Sequence, residues 1–170
     1  MRASGAVYDL SRSGARSCAP HADPPMAKLR TPPIYTTPTD AALAFYQAFE
    51  ARDLDAMMAT WADDEEIVCV HPGGARLVGY EAIRQGWEQL FSGSQRLTFR
   101  LEQVVMVETV GLALQSAVEH VTVVSEGGAT GLAVCTNVFM RTPYGWRIVM
   151  HHASPAPAAA AAAAPAGPLH

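Results

Sequence analysis

The sequence predicts an α+β domain in which three N-terminal helices pack on one face of a mainly antiparallel sheet. Three observations carry this. Apolar residues recur at helical spacing from about residue 38 to residue 92. From about residue 96 the chain changes to four long strand-like runs separated by short turn signals: Val110-Gly111, Glu126-Gly127-Gly128 and Thr142-Pro143-Tyr144-Gly145. Helices first and a strand meander second is the order that segregates the helices to one sheet face.

In TPTDAALAFYQAFEARD, Thr37 or Thr39 is a candidate N-cap, and Ala42, Leu43, Phe45, Tyr46 and Phe49 supply the apolar stripe. Asp53 is placed to cap a second helix, LDAMMATWADD, with Leu54, Met57, Met58 and Trp61 on its apolar side. A short strand, Glu66–Val70, leads to His71 and a Pro72-Gly73-Gly74 turn. GYEAIRQGWEQLFSG reads as a third helix carrying Ile83, Trp87, Leu90 and Phe91. The four strands then fall at about 96–108, 112–125, 131–142 and 145–153. Residues 1–36, rich in Ser, Gly, Pro, Arg and Ala, are expected to be a disordered extension, with a second candidate start at Met26. The domain is expected over 37–154, and 155–170 as a disordered Ala/Pro tail.

The last hairpin sets an expected register. If Thr142–Gly145 is the loop, Arg141 faces Trp146, Phe139 faces Ile148, Asn137 faces Met150 and Cys135 faces His152. These residues would share the helix-covered face, with His151 on the other. Asn137 and His152 are then polar groups among apolar neighbours, either hydrogen-bond anchors or pocket chemistry. The opposite face would carry Val134, Thr136, Val138, Met140, Arg147, Val149 and His151, too apolar to stay wet, so a homodimer through that face is expected.

Composition narrows the function. The net charge of −4, without a basic stripe, speaks against nucleic acid as a partner. No apolar run is suited to span a membrane, and the start lacks the apolar core of a secretory signal. Three cysteines, Cys18, Cys69 and Cys135, fit no zinc spacing, and a reducing cytoplasmic setting is expected. No metal or cofactor is expected. Adjacent His151 and His152 point to opposite faces and cannot chelate together. Cys135 beside His152 has the look of a nucleophile–base pair, but a buried, inert cysteine is the expected reading. Glu119 is either an acid inside the domain or an exposed partner of Arg100.

The stretches FYQAFEARDLDAMMATWADDEEIVCVHPGG, LVGYEAIRQGWEQLF and NVFMRTPYGWRIVMHHAS together resemble the nuclear transport factor 2-like superfamily, which includes ketosteroid isomerase and SnoaL-like polyketide cyclases. The resemblance covers residues 38 to 154 and implies a cone-shaped, cystatin-like fold with a curved sheet and a dimer. In ketosteroid isomerase an aspartate before a proline, at the end of the first strand, is the general base. Here that place falls on His71 before Pro72. The isomerase's oxyanion donors, a tyrosine and a protonated aspartic acid, fall on Phe45 and Asn137. Tyr46 lies about 100° further round the helix, which disfavours it as a substitute.

His71 titrates near neutral pH and could move a proton between substrate carbons. The alternative is a histidine that only anchors a strand end. Asn137 could donate to an oxyanion, and His152 could join it in the pocket. Phe45, Phe49, Met57, Trp61, Trp87, Phe91, Cys135, Phe139 and Met150 are the candidates for contact with a small hydrophobic molecule, or simply the core. Two functions therefore compete: a small-molecule-binding protein, catalytic in the manner of an isomerase or cyclase, and a non-catalytic oligomerisation or ligand-sequestering module.

Overall fold

The computed structural model describes residues 32–125 and 127–157. The expected disorder of residues 1–31, the second start at Met26 and most of the Ala/Pro tail lie outside the described residues.

Helix α1 (Pro38–Ala51) begins at a capping box: the Thr37 hydroxyl accepts from the Asp40 backbone N–H at 3.0 Å, and Asp40 accepts from the Thr37 N–H at 3.1 Å. It ends at Arg52, which takes a left-handed conformation with φ 57°. Asp53 then caps α2 (Leu54–Ala59) by accepting from the Ala56 N–H at 2.9 Å. Strand β1 (Val68–Val70) turns at Pro72–Gly74 into β2 (Arg76–Val78), a short strand that the sequence pattern does not announce. Gly73, at φ +71°, supplies the left-handed residue of that turn. Helix α3 (Tyr80–Ser92) follows, and then β3 (Leu97–Glu108), β4 (Leu112–Val123), β5 (Thr130–Thr142) and β6 (Gly145–Pro155).

The six strands form one sheet in the order β2-β1-β6-β5-β4-β3, antiparallel except where β1 runs parallel to β6. The three helices cover one face, and the α+β expectation holds. Phe45 of α1, Met57 of α2, Ile83 and Trp87 of α3, and Phe139 and Ile148 of the sheet are fully buried together. Trp61 lies beyond α2 rather than on it. It bridges Ile148, where the chain from Thr60 to Ala62 hydrogen-bonds along β6.

Residues 33–35 fall within the stretch expected to be disordered, yet they pack on the start of β6. The Tyr35 carbonyl accepts from the Trp146 N–H at 2.8 Å, and the Pro33 carbonyl accepts from Arg147 at 2.7 Å. The Arg147 guanidinium lies 5.0 Å from the Tyr35 ring centroid. Arg147, expected on an open surface, is therefore buried under this strap.

The last hairpin follows the expected register from Thr142↔Gly145 to Phe139↔Ile148. Beyond that the register slips: Val138 pairs with Met150, and Val149 is an extra residue in β6. Such a bulge reverses the facing of every later residue in its strand. His151 and Ala153 enter the helix-covered face, and Met150 and His152 leave it. This corrects the expected pairs Asn137 with Met150 and Cys135 with His152. The observed pairs are Asn137↔His151 and Cys135↔Ala153.

Candidate functional site

The site begins at the end of β1. Cys69 faces the helices, Val70 faces away, and His71 faces inward again, as the two-residue period requires. Gly74 donates its backbone N–H to the His71 carbonyl at 2.9 Å, which closes the turn and holds the imidazole in place. The ring meets Trp87 edge-on, with centroids 4.5 Å apart, and its Nε2 lies 3.7 Å from Cys69 Sγ. Burial holds the imidazole below its ordinary pKa, so it is neutral at pH 7.

His71 forms part of the wall of a cleft of about 660 Å³ between α3, the end of α1 and the β1–β2 turn. Phe49, Leu77, Leu90, Phe91 and Leu97 supply apolar walls, and Arg52, Gln89, Ser94 and Gln95 the polar ones. Among the twelve residues singled out from the sequence, His71, Phe49 and Phe91 line this cleft. Phe45, Met57, Trp61, Trp87 and Phe139 belong to the closed core behind it.

Behind His71 stands His151, with ring centroids 6.1 Å apart. His151 is sealed by Phe45, whose ring lies 5.1 Å away, and burial pushes its pKa down to about 3. Its Nδ1 donates to Asn137 Oδ1 at 2.6 Å. The Asn137 amide donates to Gln115 Oε1 at 3.0 Å and, more weakly, to Tyr46 Oη at 3.5 Å. Tyr46 Oη donates to Glu119 Oε1 at 2.7 Å and lies 3.5 Å from Cys135 Sγ. Burial raises the Glu119 carboxyl and pushes the Cys135 thiol up to about 12, so the thiol stays protonated and unreactive.

The helix-covered face thus holds one continuous polar chain, His151–Asn137–Tyr46–Glu119 with Gln115 beside it, all buried. His152 takes no part in it. It sits exposed on the opposite face, paired with Thr136 and Val70, and Met150 lies on that face with Val138. Tyr46, disfavoured by its angle on α1, reaches the interior beside Phe45 because α1 is buried on both of those positions. Glu119 is the interior acid, whereas Arg100 and His120 pair with Glu102, His120 at 2.8 Å. Gln115 and Glu119 alternate with Ala113 and Ala117 along β4. That two-residue pattern of small residues between polar ones is the signal that identifies them as inward-facing. Among the described residues no group of three or more His, Cys, Asp or Glu is placed to hold a metal ion.

Comparison with known proteins agrees with the fold. The SnoaL-like domain family matches residues 39–159. A protein of known structure from Thiobacillus denitrificans, assigned as a calcium/calmodulin-dependent protein kinase type II association domain, is 37% identical, with a TM-score of 0.66 over 74% of this chain and 99% of that one. A Streptomyces avermitilis protein assigned as a dehydratase of the NTF2-like family is 30% identical, with a TM-score of 0.63 over 69% of this chain and 93% of that one. The F-box protein SKIP8 of Arabidopsis thaliana is 27% identical over 110 residues, 65% of this chain, and the chain spans 46% of that protein's length. With three helices on one face of an open sheet and a family match across nearly all of the described residues, the chain belongs to the SnoaL-like domain family.

Proposed function

We propose that the protein binds a small, mainly apolar molecule in the cleft beside His71, and that His71 serves there as a general base for isomerase- or cyclase-type proton transfer. The observation that carries this is the position of His71. It is a neutral imidazole in the wall of a ligand-sized cleft whose other walls are largely aromatic and aliphatic. In such a step His71 takes a proton from a carbon acid of the ligand, leaving an imidazolium and an enolate, and returns the proton to another atom of the ligand. Asn137 has its amide hydrogens directed at Gln115 and Tyr46, so in this account it positions His151 rather than touching the ligand. The similar Streptomyces protein assigned as a dehydratase is in keeping with small-molecule chemistry in this fold.

A second reading, a module that works through association, is favoured by a separate observation. The sheet face away from the helices exposes Val105, Val107, Leu112, Leu114, Val134 and Met140. Such a patch is costly to leave in water, and a homodimer through this face would cover it. The similar Thiobacillus protein is assigned as an association domain. The two readings are compatible, since the cleft and the apolar face lie on opposite sides of the sheet.

The test is a thermal-shift screen of apolar metabolites against the wild type and His71→Ala. Binding that raises the wild-type melting temperature and is lost in a variant of near-native stability supports the reading. Equal shifts for both proteins would remove His71 from the site.

A further inference from the structure

We propose that Arg52 makes the cleft a site for monoanionic carboxylic acids with an apolar body, an inference that rests on reading the cleft as the ligand site. Among the described residues Arg52 is the one permanent cation in the lining, which contains neither Asp nor Glu. The ion pairs among the described residues engage Arg84, Arg100 and His120 and leave Arg52 without a carboxylate. Its guanidinium is nevertheless held in place, because Nη2 donates to the carbonyls of Phe91 and Gly93 at the end of α3. Nη1 and Nε have no partner among the described residues. The side chain is thus a fixed, half-buried cation at the rim of an apolar cleft, where a charge-assisted hydrogen bond to an anion is stronger than in open water.

The surroundings also set the charge of the ligand. Arg52 is the C-cap of α1, and the carbonyls it binds close α3, so both helix ends at the cleft are C-terminal and carry partial negative charge. A dianion such as a phosphate monoester gains most from helix N-termini or several cations. A single carboxylate needs one cation, and Phe49, Leu77, Phe91 and Leu97 receive the apolar body. His71 lines the same cleft, so an acid held by Arg52 shares it with the imidazole.

The test compares sodium 4-phenylbutyrate with 4-phenylbutyramide, matched in shape and differing in charge. Binding is followed by calorimetry, and its location by the NMR shifts of the His71 ring and the Leu77 and Leu97 methyls. The acid is expected to bind about tenfold more tightly than the amide, the scale of one hydrogen bond to a charged group. Arg52→Gln is expected to bring the acid down to the level of the amide while leaving amide binding unchanged. Gln89→Glu, an exposed α3 position that also lines the cleft, adds a negative charge to the wall and should weaken the acid several-fold more than the amide, whether or not Arg52→Gln folds. Equal affinity for acid and amide, with shifts at the cleft residues, would overturn the role of Arg52 and leave the cleft reading standing. Absence of shifts at His71, Leu77 and Leu97 with either compound would overturn the cleft reading itself, and this inference with it.

Discussion

His151 donates its Nδ1 hydrogen to Asn137 Oδ1 across 2.6 Å, inside a core that excludes water. An amide oxygen can only accept, so the contact fixes the neutral tautomer with Nε2 bare. Asn137→Ala leaves that hydrogen without a partner and should cost about 1–3 kcal/mol of stability. Urea denaturation measures this, and a double-mutant cycle with His151→Phe should return a coupling of about 0.5–3 kcal/mol. Additive effects would mean that the two residues act independently.

Stability should fall as the pH drops below about 6.5. Burial pushes His151 down to about 3 and also holds His71 low, so in this window the unfolded chain binds protons that the folded chain refuses. Acid therefore favours unfolding, by up to about 1.4 kcal/mol per pH unit for each group. Above 6.5, where both groups are neutral in either state, this loss is absent. Glu119 acts in the opposite sense. Raised by burial, it keeps its proton above the ordinary carboxyl range in the folded state, so its contribution declines as the pH rises from 4.5. Urea midpoints from pH 4.5 to 7.5 should show a shallower acid limb for His151→Phe than for the wild type. An unchanged limb would contradict the burial of a neutral His151.

Gly145 joins two constraints in one residue. Its φ is +95°, and a Cβ there would lie 2.5 Å from the Tyr35 carbonyl oxygen. Gly145→Ala should therefore cost about 1–3 kcal/mol and release the 33–35 strap. Gly111, which also sits in a turn, has nothing within 4 Å of such a Cβ, and Gly111→Ala should change stability by less than about 0.5 kcal/mol. Thermal melts of the two variants make the comparison, and equal melting temperatures would contradict the account of the strap.

The open sheet face predicts an oligomeric state. Light scattering at micromolar concentration should give the mass of a dimer for the wild type, and Leu114→Glu, which places a charge in the apolar face, should give a monomer. A monomeric wild type would remove the interface.

The helices and the strand meander were legible in the sequence because their cues are local. Thr37 and Asp53 cap where a short polar side chain must accept a backbone hydrogen, and the turn at Thr142–Gly145 sets the first pairs of its hairpin. The bulge at Val149 was not legible. VMHHAS alternates as well with the bulge as without it, and what fixes the bulge is packing. Val149 is drawn towards the core, and β1 pairs in parallel with the following residues, setting Cys69 beside His151. One extra residue therefore exchanged His151 for His152 in the interior. Tyr46 was expected on the apolar stripe of α1, but its polar role in the interior was discounted for a related reason. An angle of 100° separates two positions on a helix, but α1 is buried deeply enough to cover both, so Phe45 and Tyr46 each face the sheet. The strap at 33–35 rests on a single backbone bridge and one arginine, which leave no periodic trace. His71, expected to point toward Asn137 and His152 from its position after β1, lies in the cleft wall with Trp87 and His151 as its ring neighbours.

The central claim is that a small molecule occupies the cleft at His71. It is tested most directly by a crystal structure of the protein soaked with a mixture of small aromatic and aliphatic fragments. Fragment density bounded by His71, Phe49, Phe91 and Leu97 is expected. Fragments bound elsewhere on the surface, with that cleft closed or vacant in every soak, would contradict it.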